Sequence, residues 1–259
     1  ADETNVRSDG ISLTLLSIGP ASRVAMHRHP HSAKILYLIK GHARLLGPEG
    51  VAPVKLDEGA AAFVPAGYPH VIENMGRQST AVFLQAFSPP GPERVYRDAT
   101  DARGRAEFEV IRDPAQAKLP PEEAGKVLVT AAVDAKPVPL PRGIGSGKDL
   151  IPASPGQAMS LSLMELADGA EWEGKGDAQA TLVLYFVSGT GSLKVAGETL
   201  PLAAQSMVYL PHGTPYTMKV AAPKVTAPDK AEKILVVRFR VGDPAKVRGS
   251  APSGGAVRR

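Results

Sequence analysis

Two histidines one residue apart, His27 and His29, are the part of this chain best suited to chemistry. On a β-strand, side chains two positions apart leave the same face about 6.6 Å apart, so both imidazoles can converge on one ion. A third imidazole from a neighbouring strand closes a facial set, and His70 is the residue that would supply it. Three ligands on one face leave coordination positions open for water, substrate or dioxygen. The chain has no cysteine. Disulfides, thiolate nucleophiles and Cys-ligated metals are therefore excluded, and any metal must rest on His, Asp or Glu. His31 continues the spacing beyond Pro30. Three readings stand for it: a fourth ligand, an acid or base beside the ion, or a loop residue.

The elements that must position these side chains read as strands. Ile11 to Ile18, Lys34 to Ile39, Ala60 to Val64 and Thr80 to Phe87 are β-prone runs of five to eight residues, each cut by Gly or Pro. Long helical periodicity is absent, and a short helix is expected only near Pro121 to Lys126. The second half repeats the first. Leu182 to Gly189 reads like Lys34 to Gly41 at an offset of 148, and Pro211-His-Gly213 reads like Pro65-Ala-Gly67 at an offset of 146. Near-equal offsets of two separate motifs point to duplication of one β-domain. Between the copies, Ser88 to Pro155 is rich in proline and charge, with one strand expected at Lys126 to Val133. Residues 242–259 read as a flexible Gly/Ala/Pro/Arg tail.

Composition narrows the function classes. The 259 residues are ample for a core, and at 43% hydrophobic and 22% charged they are not those of a disordered chain. No apolar run approaches the length of a membrane span, so no membrane role is expected. The net charge of +4 is scattered, aromatics are 5%, and no stretch interleaves the two, so no nucleic-acid partner is expected either. The compartment stays open between bacterial cytoplasm and periplasm.

The second motif, Gly59-x5-Pro65-x-Gly67-x2-His70-x3-Asn74, together with His27, His29 and Gly41, resembles the two motifs of the cupin superfamily, specifically of a two-domain bicupin. The resemblance implies an all-β fold of two double-stranded β-helix (jelly-roll) barrels. Residues 1–90 would form a metal-binding N-terminal cupin, 91–149 a connection, and 150–241 a C-terminal cupin without metal ligands. Seven residues before Gly41, where the family carries a Glu ligand, stands Lys34. A protonated lysine repels a divalent cation, which favours a three-histidine site of His27, His29 and His70. Lys34 is expected either to pair with a carboxylate such as Glu73 or to anchor an anionic substrate. Counting back from Gly189 matches His27 and His29 with Lys175 and Asp177, Lys34 with Leu182, His70 with Tyr216 and Asn74 with Val220. By this resemblance the expected cofactor is one divalent transition metal, Fe(II) before Mn, Ni, Cu or Zn. The expected function is a metal-dependent oxidoreductase, a three-histidine dioxygenase acting on a small organic molecule, with His31 and Lys34 as its catalytic side chains. The alternatives are a non-catalytic metal or small-molecule binder and a Lewis-acid lyase, isomerase or hydrolase. The expected partners are a small-molecule substrate and a second copy of the chain in a homodimer.

Overall fold

Short β-prone runs that end at Gly or Pro cannot continue as helices, and they close instead into sheets. In the computed structural model the described residues are 6–7, 10–90, 108–119, 127–154, 157, 159–174, 180–221 and 234–242. The first copy contains β1 (Val6–Arg7), β2 (Ser12–Ile18), β3 (His27–Arg28), β4 (Ala33–Lys40), β5 (Ala43–Leu46), β6 (Val54–Leu56), β7 (Ala60–Val64), β8 (Val71–Asn74) and β9 (Ala81–Ser88). The segment that follows adds β10 (Glu109–Val110), β11 (Leu128–Ala131) and β12 (Val138–Pro139). The second copy contains β13 (Gly145–Ile151), β14 (Met159–Leu166), β15 (Glu171–Gly174), β16 (Ala180–Ser188), β17 (Gly191–Val195), β18 (Glu198–Leu202), β19 (Met207–Leu210), β20 (Tyr216–Val220) and β21 (Ile234–Gly242). The expected strand inside the central segment is β11. The helix expected near Pro121 to Lys126 and the tail beyond Gly242 lie outside the described residues. Among those residues the helical elements are two short 3-10 turns, Pro114–Ala117 and Pro141–Gly143. No helix is long and apolar enough to cross a membrane.

The strand order proves the repeat. The first large sheet runs β1-β2-β9-β4-β7-β11, and the second runs β12-β13-β14-β21-β16-β19. The four strands β2-β9-β4-β7 correspond in order to β14-β21-β16-β19. Each large sheet faces a smaller one: β6-β5-β8 in the first barrel and β15-β20-β17-β18 in the second. The fold is all-β, a jelly-roll barrel formed twice.

Side-chain alternation then decides what each sheet does. On β4, Leu36 and Leu38 turn into barrel one with Phe83, Ala62 and Val64, while Ile35 and Tyr37 turn the other way. On β16, Leu182, Leu184 and Phe186 turn into barrel two, while Val183 and Tyr185 turn out. The outward sets meet. Ile11, Leu13, Ile35, Tyr37, Leu84 and Ala86 form one buried cluster with Leu150, Ile151, Met159, Leu161, Val183 and Tyr185. The two large sheets are thus apolar on both faces, and their common layer couples the barrels. Leu13→Ala, on barrel one, should cost about 2–5 kcal/mol. The single tryptophan, Trp172 on β15, lies in barrel two and reports its unfolding. In Leu13→Ala its fluorescence midpoint in denaturant should fall together with the far-UV circular dichroism midpoint. An unmoved Trp172 transition would show that the barrels unfold independently.

Candidate metal centre

The three histidines come together because backbone hydrogen bonds tie their segments. The His27 N–H donates to the His70 carbonyl at 3.0 Å, and the His70 N–H returns to the His27 carbonyl at 2.8 Å. The turn Pro65-Ala66-Gly67 supplies the third tie, since the Gly67 N–H donates to the His29 carbonyl at 2.7 Å. Gly67 has φ +76°, a left-handed conformation that glycine adopts at little cost. Asn74, the last motif residue, is structural. Its amide nitrogen lies 2.7–2.9 Å from the carbonyls of Ile18, Gly19 and Ser79, and its oxygen accepts the Gly76 N–H.

The resulting group is compact and buried. One ligand atom from each of His27, His29 and His70 lies within 4.8 Å of the others. Ring centroids are 4.9 Å apart for His27–His29, 4.2 Å for His27–His70 and 5.4 Å for His29–His70. The side chains are 0%, 2% and 0% exposed in residue order. Neighbouring carbonyls set the tautomers. The Nδ1–H of His27 donates to the Ala25 carbonyl at 2.7 Å, and that of His70 donates to the Tyr68 carbonyl at 2.9 Å. A carbonyl can only accept, so Nδ1 carries the proton and Nε2 keeps its lone pair. Burial, reinforced by the charge of Lys34, lowers the His27 pKa to about 3. Burial also pushes His70 well below its usual value, and the charges of His27, Lys34 and His29 add to the effect. Both rings are therefore neutral donors. The buried Nε2 of His27 has no hydrogen-bond partner among the described residues. A buried acceptor left so costs about 1–3 kcal/mol. Three buried imidazoles with converging nitrogens, two of them held neutral, fit a divalent transition metal.

Lys34 stands where expected but not with the expected neighbour. It is 2% exposed, and burial lowers its pKa to about 7. Its Nζ lies 3.4 Å from His70 Nε2 and 5.3 Å from the centre of the Phe87 ring. Glu73 pairs instead with Arg44, across the β5–β8 ladder. His31 is exposed and stands outside the histidine group. His42, also exposed, pairs with Asp57 at 2.9 Å. Tyr68, two residues before His70, is 3% exposed and belongs to the core.

Sequence reasoning missed one wall of the site. Phe108, from the segment between the barrels, stacks on His27 at 4.6 Å with 24° between ring planes. The alternating run Phe108-Glu-Val-Ile111 carried a weak strand signal, but nothing in it named β3 as the partner.

Barrel two fills the corresponding place. Its ladder sets Gly174 opposite Tyr216, as the bridge of barrel one sets His27 opposite His70. The register therefore matches Gly174, not Lys175, with His27. Lys175 and Asp177 themselves lie outside the described residues. A Cβ at Gly174 would stand 2.2 Å from the Tyr216 ring, so the ring occupies the space a side chain there would need. Leu182, Tyr216 and Val220 are buried in the apolar core, and the described residues of barrel two gather no group of metal-ligating side chains.

Comparison with known proteins agrees with this architecture. Residues 14–87 match the Cupin domain family (Cupin_2). The chain is 36% identical over 114 residues to the tetracenomycin polyketide synthase protein TcmJ of Streptomyces glaucescens, a match covering 42% of this chain and 66% of that protein. Oxalate decarboxylase from Bacillus subtilis superposes with a TM-score of 0.63 at 14% identity, covering 91% of this chain and 69% of that one. Salicylate 1,2-dioxygenase from Pseudaminobacter salicylatoxidans superposes with a TM-score of 0.64 at 13% identity, covering 90% and 71%. At such identities these structures speak for the fold alone. The match places a cupin domain at residues 14–87, in barrel one, and barrel two repeats the strand order of that barrel.

Proposed function

We propose that barrel one holds one divalent transition metal on His27, His29 and His70. We further propose that the protein is a metal-dependent oxidoreductase, an Fe(II) dioxygenase acting on a small organic anion. One observation carries this reading: among the described residues, the buried group contains three imidazoles and a lysine, but no carboxylate. A dication bound there keeps its full charge, because no carboxylate ligand offsets it. An excess of positive charge in a dry pocket is costly until an anion offsets it. When bound, the ion supplies Lewis acidity and, if redox-active, a route for electrons to dioxygen. Lys34 binds and orients the anion through the N–H donors of its Nζ. Of the two side chains expected to do so, it is the one beside the histidines, and the exposed His31 has no part in this reading. Phe87 and Phe108 flank the imidazoles and exclude water from the reacting region. Two proteins of like fold are named for salicylate and for oxalate, both small organic anions, which supports the class of substrate.

Elemental analysis of the full chain tests the metal. In the double variant His27→Ala/His29→Ala, metal content should fall about tenfold or more below wild type. Stoichiometric metal in that variant would remove the site. Oxygen uptake after anaerobic Fe(II) loading, with a panel of small carboxylates and enolates, tests the reaction.

Lys34 separates attraction from repulsion. Lys34→Glu places a carboxylate beside the imidazoles and should raise Mn(II) affinity by about tenfold, or ~1.4 kcal/mol. Weaker binding would mean that Lys34 supports the metal. Lys34→Met should keep the metal and raise KM for the anion by about tenfold or more, the loss expected for a charge-assisted contact. An unchanged KM would exclude Lys34 from substrate binding.

A further inference from the structure

The histidine group is buried, and the elements around it differ in strength. Lys34 and Phe87, which lie against the histidines, belong to continuous ladders: Lys34 on β4 pairs with Val64 on β7 and with Phe87 on β9, inside the six-stranded sheet. A further wall is the two-residue strand β10, whose sheet, among the described residues, contains only itself and β3. The pairing is antiparallel, with Glu109 opposite Arg28 and Val110 opposite His27, and the Ile111 N–H donates to the Met26 carbonyl at 2.9 Å. Alternation along this ribbon sends Phe108 to the face of His27 and His29, at 4.6 and 5.7 Å between ring centroids. It sends Glu109 to the opposite face, where it grips Arg28 through two bonds of 2.8 Å each. Those two side chains are 33% and 41% exposed. A two-strand ribbon held by a solvent-exposed ion pair is among the least stable kinds of sheet.

We propose that residues 108–111 form the removable wall of the metal centre. Phe108 closes the space over His27 and sets the rate at which ions and ligands enter and leave, and the Arg28–Glu109 fork latches it. Phe108 touches a ligand imidazole and holds no ion itself. It therefore controls exchange and leaves the identity of the ligands unchanged. This inference rests on the metal reading above.

The test is release of Co(II) from the loaded full-length chain to excess EDTA, followed by the visible d–d absorption. In Phe108→Ala the release rate should rise about tenfold or more, while the starting spectrum stays that of wild type. Glu109→Gln should raise it by a smaller factor, up to about fivefold, as befits an exposed ion pair. Phe108→Tyr, which keeps the stacked ring, should restore slow release. Asp57→Asn, which breaks the exposed His42–Asp57 pair elsewhere on barrel one, should leave the rate unchanged. Equal release from wild type and Phe108→Ala would overturn the proposal. So would an altered Co(II) spectrum in Phe108→Ala, which would make Phe108 a support of the ligand set. Failure of the wild-type chain to bind Co(II) at all would refute the metal reading, whereas bound Co(II) with rates indifferent to Phe108 would refute only the removable wall.

Discussion

The whole site hangs on two backbone hydrogen bonds, the reciprocal pair between His27 and His70. A pair of this kind holds two strands at about 5.5 Å between Cα atoms and aims the opposed side chains to one face. It joins a histidine at the start of the first motif to one in the second motif and brings their rings to 4.2 Å. The Gly67 tie to the His29 carbonyl then fixes the remaining ring, and Asn74 anchors the loops behind it. The motif residues between the ligands thus serve geometry: glycine for a turn, asparagine for carbonyls that would otherwise lack donors.

The charge arrangement follows from that geometry. Close, buried imidazoles cannot all be protonated, because desolvation and mutual repulsion act in the same direction. The same burial acts on Lys34, whose ordinary preference for the charged form is weakened. The pocket therefore contains donors of electron pairs and one reluctant cation. Chemistry that builds negative charge is favoured in such a place, and chemistry that builds positive charge is not.

Much of this was legible before any coordinates. The strand Ala60–Val64 was expected at the bounds it has, and the repeat offsets of 148 and 146 foretold two sheets with the same strand order. The three histidines were named from spacing and motif, and they meet. What could not be read depends on pairing across long stretches of chain. Nothing local joins Phe108 and Glu109 to β3, about eighty positions earlier. Counting from Gly189 gave Lys175 as the counterpart of His27, whereas the ladder gives Gly174, because a count cannot register a small difference in loop length. Glu73 seemed a natural partner for Lys34 until the β5–β8 register set it across from Arg44.

The apolar layer between the barrels has a consequence for how such a molecule can change over generations. On β4 the residues that face barrel two, Ile35 and Tyr37, alternate with Lys34 and Leu36, so one peptide unit separates the inter-barrel layer from the pocket. Any shift in barrel two's large sheet is delivered directly to the backbone that carries the lysine. The duplicated copy gathers no metal-ligating group among its described residues and is still held to a narrow choice of shape along Met159, Leu161, Val183 and Tyr185. Along that seam it is a back plate against which barrel one is pressed. Substitutions would then be free at the far end of that copy and scarce along the seam, the reverse of the pattern expected if both copies were chemical.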